Sequence, residues 1–400
     1  MSQNALARAF REESGRVLSA LIAQFRDFDL AEEAFQDATT EAARTWPQRG
    51  TPSNAGAWLL AVARRRALDR LRKAKRASDE AVQQNLALLA EAPPEDEAAQ
   101  DIPDERLRLI FTCCHPALAP DARVALTLRT VCGLSAAEIA RAFLVPHATM
   151  SQRLSRAKAK IRHARVPYRI PEAADIPARL ETVLSVIYLI YNAGYAPLTP
   201  ALSHEAIRLC ALVHHLQPRP ETAGLWALMQ LHSARDAARH DSSGRLVPLG
   251  EQDRRLWDHA AIAAAKTRLL RALGQRRPGP YQIQAAISAL HSEAPSREAT
   301  DWPQILGLYN ALYALTPTPV VALNRAVALA NTGALEAALN ALAPLESQLK
   351  AYQPFYAARA ELYARAGQIT AARADYIHAL SLTSAKDEKL LLRHKLENIE

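Results

Sequence analysis

Three observations predict an all-α protein from this 400-residue sequence. Glycine is scarce, at 13 residues, so few positions favour the left-handed backbone that tight hairpin turns demand. Alanine, leucine and arginine abound, and all three are strong helix formers. Apolar residues recur at three- and four-residue spacing through almost every segment, as they do when a helix buries one face. A chain of this length has room for two or three domains with substantial cores.

The first block, residues 1–76, reads as three helices: one ending near Ala23, one from about Asp29 to Thr45, and one from about Asn54. Pro47 and Pro52 bracket the expected turn between the last two. On the third helix Trp58, Leu59, Val62 and Leu68 are expected to face a core. Its other side is cationic: Arg64, Arg65, Arg66, Arg70, Arg72, Lys73, Lys75 and Arg76 are opposed only by Asp69. Residues 77–103 follow as a linker, with the pair Pro93-Pro94 and only acidic charges from Asp79 to Glu105. Three readings of that acidity stand: a mimic of nucleic acid, a segment that keeps the two basic blocks from folding onto each other, or merely a disordered spacer.

The second block, residues 104–165, carries two short helices joined by a tight turn. Ser135 and Glu138 have the spacing of a capping box, in which each side chain satisfies a backbone amide left free at the helix start. Ile139, Ala140 and Phe143 form the inner face of that helix. Leu144, Val145 and Pro146 make the turn, because Pro146 lacks the amide of a continuing helix yet suits the first turn of a new one. On the helix from His147, Met150, Leu154, Ala157 and Ile161 form one buried stripe. Ala148, Gln152, Ser155, Arg156 and Ala159 then point the other way. A major groove admits such a helix, Gln and Arg can bond base edges in pairs, and small residues permit close approach. Around them Arg141, Arg153, Lys158, Lys160, Arg162 and Arg165 can meet phosphates. An amphipathic helix pair with a solvated basic face is the plain alternative, but no acidic residue lies between Ala142 and Val166.

Pro167, Pro171 and Pro177 mark a further boundary, and residues 178–400 read as successive helical hairpins. Gly333 and Gly367 lie 34 positions apart (367 minus 333), and the same offset pairs Ala326 with Ala360, Ala337 with Ala371 and Ala338 with Ala372. Small residues where helices touch, with Gly at the turn, fit tetratricopeptide repeats. Residues 225–239 and 281–315 read either as degenerate units of the same stack or as unrelated hairpins.

The net charge of +8 suits a polyanionic partner. Cys113, Cys114, Cys132 and Cys210 have no CxxC spacing, and Cys113-Cys114-His115 has no second ligand cluster at zinc distance, so packed thiols in a reduced cytosolic protein are expected. No metal or other cofactor is expected. Neither a signal-peptide core nor a membrane-length apolar run is present. No nucleophile, base and orienting group converge, so catalysis is not assigned.

Taken together, DLAEEAFQDA at Asp29–Ala38, AWLLAVARRRALDRLRKAKR at Ala57–Arg76, the helix pair ending in RLSRAKAKIR, VIYLIYNAGY at Val186–Tyr195, the long motif from Leu225 and RPGPYQIQAAISALH from Arg277 resemble a bacterial sigma factor. The resemblance is to the sigma-70 family, extracytoplasmic-function type, in the subgroup with a tetratricopeptide-like C-terminal extension. It implies region 2 in residues 1–76, region 4 in 104–165 and a regulatory extension in 178–400.

By the same resemblance, Asp29, Glu32, Glu33 and Asp37 dock on core RNA polymerase, and Arg64, Arg65, Asp69, Arg70, Arg72 and Lys73 belong to the helix that recognises the -10 element. Trp46–Ser53 contribute to a loop that captures a flipped base. His147, Thr149, Ser151, Gln152, Arg153, Ser155, Arg156 and Lys158 read or position the -35 element, with His147 equally explicable as a helix start. Arg65 stands where the family usually has Asn, and Ala193 where it commonly has Glu. Tyr188, Tyr191, Asn192 and Tyr195 read as a pocket lining or as core. The extension is implied to modulate activity through a protein partner or an intramolecular contact. The competing function is a helix-turn-helix regulator with a repeat scaffold that never joins polymerase, and a third is an enzyme grafted onto a sigma factor.

Overall fold

The computed structural model describes residues 3–76, 103–143, 145–194 and 200–399. Among them every regular element is helical, apart from a single antiparallel bridge between His240 and Leu246. The chain divides into two compact units, Met1–Leu216 and Gln217–Glu400.

In the first unit, α1 (Gln3–Phe25), α2 (Phe28–Arg49) and α3 (Ala55–Arg76) pack on one another. Val17, Leu18, Leu21 and Ile22 of α1 are buried, as are Ala31, Ala34, Ala38 and Ala42 of α2. Those four alanines recur at three- and four-residue spacing, so α2 offers a flat face that lets its neighbours approach closely. From α3 the buried residues are Leu59, Leu60, Ala63 and Ala67, while Trp58, Val62 and Leu68 are half-buried. Of the expected anchors Leu59 is therefore borne out, while Trp58, Val62 and Leu68 lie at the edge of a buried stripe completed by Leu60, Ala63 and Ala67, the two alanines suiting a close approach that larger side chains would prevent. Asp27 caps α2, its Oδ1 accepting from the amides of Asp29 at 2.9 Å and Leu30 at 3.1 Å.

The turn expected at Pro47 lies further on, since α2 continues through that proline. Trp46, buried with ring centroids 5.5 Å from Phe10 and 5.4 Å from Trp58, holds the last turn down, and Gly50 at φ 84° ends it. Trp46–Arg49 are thus helical, and residues 50–54 form the loop. The linker 77–103 lies outside the described residues except for Pro103, which opens α4.

α4 (Pro103–Cys113), α5 (Pro120–Thr130), α6 (Ala136–Ala142) and α7 (His147–His163) follow. The capping box at α6 forms as its spacing predicts: the Glu138 amide donates to Ser135 Oγ at 3.2 Å, and the Ser135 amide to Glu138 Oε2 at 2.7 Å. Two more helices, α8 (Ile176–Gly194) and α9 (Pro200–Leu216), complete the unit. α8 packs on α4 and α5, and α9 on α4. Arg179 Nη2 donates to the Phe111 carbonyl at 2.7 Å. Residues 178–216, which the sequence assigns to the extension, are therefore built into the first unit. Tyr191 is buried and its ring is stacked near that of the half-buried Tyr188, so Tyr191 is core, and Asn192 is exposed. Tyr195 lies outside the described residues.

The second unit is a succession of helices: α10 (Pro220–Ser233), α11 (His259–Leu273), α12 (Pro280–Glu293), α13 (Trp302–Leu315), α14 (Pro319–Asn331), α15 (Leu335–Leu342), α16 (Gln353–Arg365), α17 (Ile369–Leu382) and α18 (Lys386–Glu397). The 34-residue offset is structural: Gly333 joins α14 to α15 and Gly367 joins α16 to α17, both with positive φ (98° and 72°). Ala326, Ala360, Ala338 and Ala372 are all buried. Between α10 and α11 a long connection brings Arg235, Arg239 and Arg254 near His232 and His291.

Burial, reinforced by those arginines, lowers the pKa of His232 to about 3 and of His291 to about 4. The unfolded chain takes up these protons near pH 6.5, whereas the folded one does so only near pH 4 and below. Stability from both is complete above the unfolded value and is lost as pH falls toward the folded ones. The melting temperature of the full chain should decline from pH 6.5 to 4, by an amount worth about 1–3 kcal/mol, and His291→Leu should flatten that decline. A pH profile unchanged by His291→Leu would refute the linkage.

Candidate nucleic-acid interface

α7 starts after Pro146, whose carbonyl accepts from the Met150 amide at 3.1 Å. Met150, Leu154, Ala157 and Ile161 are buried, as their spacing predicts. The opposite side carries His147, Ala148, Thr149, Gln152, Ser155 and Arg156 in the open, with Ser151 and Arg153 half-buried at its edges. His147 is the first residue of the helix. Arg153 leans toward α5, with Nη1 3.5 Å from Asp121 Oδ2. This is a convex helical face with amide, hydroxyl and guanidinium groups and small residues, able to enter a groove and form hydrogen bonds there.

The -10 candidates on α3 are placed differently. Arg65, Arg70, Arg72 and Lys73 are exposed, while Arg64 and Asp69 are half-buried. Burial lowers the pKa of Arg64. Arg70 reaches across to α2, with Nη1 2.6 Å from Glu33 Oε2 and Nη2 2.8 Å from Asp37 Oδ2. Arg66 Nη2 lies 3.4 Å from Glu41 Oε2, and Arg72 Nη1 3.6 Å from Asp69 Oδ1. An acidic row on α2 and a basic row on α3 are thus laced together. Two candidate polymerase contacts, Glu33 and Asp37, share one arginine with the -10 set.

The other two acids meet the far block. Lys158 Nζ is 2.9 Å from Asp29 Oδ1 and 3.1 Å from Glu32 Oε1, and Arg162 Nη2 is 3.2 Å from Asp29 Oδ2. Arg129 Nε of α5 donates to Glu32 Oε2 at 3.2 Å. Lys158, expected as a phosphate contact, is only 11% exposed here. Sequence reasoning misses Arg129, because no local spacing marks a residue whose partner lies 97 positions away. It also misses Tyr168, whose hydroxyl donates to the carbonyls of Ser19 at 3.0 Å and Glu105 at 3.3 Å.

Among the described residues, no group of three or more His, Cys, Asp or Glu side chains is placed to hold a metal. The cysteines are packed thiols: Cys113 Sγ lies 3.0 Å from Thr130 Oγ1, and Cys114 Sγ 3.5 Å from Thr127 Oγ1. Burial pushes the Cys114 thiol up to about 11 and those of Cys113 and Cys132 well above their ordinary value. No helix among the described residues is long and apolar enough to cross a membrane.

Comparison with known proteins accounts for both blocks. Sigma-70 region 2 matches residues 9–77, and sigma-70 region 4 matches residues 108–161. A family of unknown function (DUF6596) matches residues 179–273. The chain is also 41% identical, over 396 residues, to an uncharacterized protein of Rhizobium meliloti (strain 1021), a match that covers 96% of this chain and 93% of that protein. With region 2 on α1–α3 and region 4 on the helices that end in the exposed face of α7, the chain belongs to the sigma-70 family of factors that direct promoter recognition.

Proposed function

We propose that the chain is an extracytoplasmic-function type sigma factor that acts in the cytoplasm, joins core RNA polymerase and directs initiation at promoters with -10 and -35 elements. The observation that carries this reading is the exposed, acid-free outer face of α7, presented by a region 4 in the same chain as a region 2. In this reading Gln152 and Arg156 read base edges, with His147, Thr149, Ser151 and Ser155 beside them, and Arg153 and Lys158 meet phosphates. Arg64, Arg65, Arg70, Arg72 and Lys73 track the strand at the -10 element, with Asp69 ordering Arg72. Asp29, Glu32, Glu33 and Asp37 engage polymerase. Two tethered modules give a joint affinity beyond that of either alone.

The second unit acts as a tetratricopeptide-like regulatory module. Its repeated hairpins leave a cleft of about 260 Å³ whose lining includes Trp302, Val327 and Leu362, with Arg254, Arg297 and Arg365 also present, which suits a protein partner.

The test is transcription in vitro from sheared genomic DNA with core polymerase, mapping the 5′ ends of the transcripts. Discrete starts that share two upstream elements should appear only when both proteins are present. Failure of the full chain to bind core polymerase would favour the regulator that never joins it.

A further inference from the structure

We propose that the cleft of the second unit is a binding site for a small organic acid: one carboxylate against Arg254 and Arg297, carried on an aromatic or branched apolar body along Trp302, Val327 and Leu362. The inference rests on the regulatory reading of this unit given above, and it adds a soluble ligand to the protein partner proposed there.

The charges in the lining are unevenly matched. Its two acids are both engaged by Lys395, whose Nζ lies 3.0 Å from Glu251 Oε1 and 3.6 Å from Glu361 Oε2. Arg254, Arg297 and Arg365 form no ion pair with an acid among the described residues. They are held in place all the same. Arg254 Nε donates to the Ala294 carbonyl at 2.9 Å, and its guanidinium lies 5.0 Å from the Trp257 ring centroid. Arg365 Nη1 donates to Asn331 Oδ1 at 3.2 Å and Nη2 to the Ala330 carbonyl at 2.9 Å. The stem of Arg297 passes so close to Gly250 that a Cβ there would sit 2.9 Å from Arg297 Cδ. Arg254 and Arg365 thus use only part of a five-donor fork on the protein and keep the rest for a ligand.

The charge balance sets the charge of that ligand. Four cations against two acids leave an excess of two positive charges in the lining. Glu298 lies in the field of Arg297 and Arg254 and brings the excess to one, its carboxyl held below the ordinary pKa chiefly by its own backbone amide and the Ser296 hydroxyl. His291 lines the cleft uncharged at neutral pH, because burial and the positive field of Arg235 and Arg254 oppose its protonation. A single carboxylate therefore balances the site better than a phosphate dianion, and the planar guanidinium matches its two oxygens.

The apolar side chains of the lining define the body. Leu362 is buried, Val327 and Trp302 are half-buried, and the Trp302 ring meets His291 edge-on with centroids 5.2 Å apart. Val327 and Asn331 of α14 stand 34 positions before Glu361 and Arg365 of α16 (361 minus 327, 365 minus 331), so the cleft occupies one face of successive repeats. At about 260 Å³ it is smaller than the roughly 300–1,000 Å³ pockets of drug-sized ligands. One ring or a short branched chain fits, and a partner protein can insert no more than a side chain or two.

Isothermal titration calorimetry of the full chain near neutral pH tests the site with phenylacetate, its uncharged isostere phenylacetamide, and inorganic phosphate. Phenylacetate should bind about tenfold more tightly than either of the others, as a charge-assisted pair on an apolar body requires. Arg297→Gln should remove most of that preference and Arg297→Lys should restore part of it. Ala358→Phe, which fills the cleft without altering a charge, should weaken both phenyl ligands alike. Arg373→Gln, at an exposed arginine of α17 outside the lining, should change nothing. No binding of phenylacetate at tens of millimolar, equal affinity for phenylacetate and phenylacetamide, or a preference that survives Arg297→Gln overturns the site. Tighter binding of the peptide acetyl-Asp-Phe-Asp-amide than of phenylacetate gives the cleft to a partner's chain and also overturns it. Transcription with core polymerase separates this from the regulatory reading: a preference lost in Arg297→Gln, with transcript yield unaltered by saturating phenylacetate, keeps the site and removes the regulatory role of the unit.

Discussion

Replacing Arg359 by Leu should destabilise the second unit by about 3–5 kcal/mol, the cost of leaving a buried charge without its partner. Arg359 is 9% exposed on α16, and it satisfies two acids at once. Nε and Nη2 donate to Asp375 at 2.7 and 2.9 Å, while Nη1 and Nη2 donate to Glu346 at 3.0 and 3.2 Å. Its guanidinium also lies 4.8 and 5.4 Å from the ring centroids of Phe355 and Tyr356. The Arg359 hydrogen bonds hold the Glu346 carboxyl below its ordinary pKa. Asp375, 7% exposed on α17, has little water to replace what is lost. Urea unfolding followed by circular dichroism should show a lower midpoint for Arg359→Leu, largely restored in the double variant Arg359→Leu/Asp375→Leu, where no orphaned carboxylate remains at that site. A single variant as stable as the parent would refute the account.

The second large effect is one of sign. Gly194→Ala and Gly307→Ala both add a methyl group to a helix, but only Gly307 is interior, where the exchange gains helix propensity of about 1 kcal/mol, whereas Gly194 is the last residue of α8. At Gly307, on the exposed side of α13, nothing lies within 4 Å of the new Cβ, so the full chain should become more stable. At Gly194 the new atom would fall 2.2 Å from the Ser203 amide nitrogen and 2.8 Å from the Leu202 carbonyl carbon. Both are backbone atoms, so the α8–α9 hairpin must shift as a whole, and overpacking of this kind costs about 1–3 kcal/mol and sometimes more. Thermal melting should move up for one substitution and down for the other. A rise for both would show that the hairpin yields freely.

What proved legible from sequence was local. The capping box at Ser135 and Glu138, the stripe from Met150 to Ile161 and the paired glycines at 333 and 367 depend on neighbours within one or two turns, and periodicity reports such neighbours directly. The run of α2 through Pro47 was not legible, because Trp46 is held by Phe10 and Trp58 from other helices. Ala63 and Ala67 do not stand out as core in the sequence for a related reason: a small residue signals close approach only once its partner surface is known. The charges on α2 and α7 were each visible, but nothing in their spacing says that Asp29 and Lys158 meet, since that pairing is fixed by how whole helices stack.

The embedding of α8 and α9 in the first unit has a consequence for how this protein can be taken apart. The region 4 match stops at residue 161, which makes a cut near Arg165 look natural. Such a cut would strip away the helix that packs on α4 and α5 and remove Arg179 from the Phe111 carbonyl. The shortened polypeptide would then lose stability in the first unit itself, and a genetic screen would score the deletion as if a regulator had been removed. A joint that respects the packing falls after Leu216.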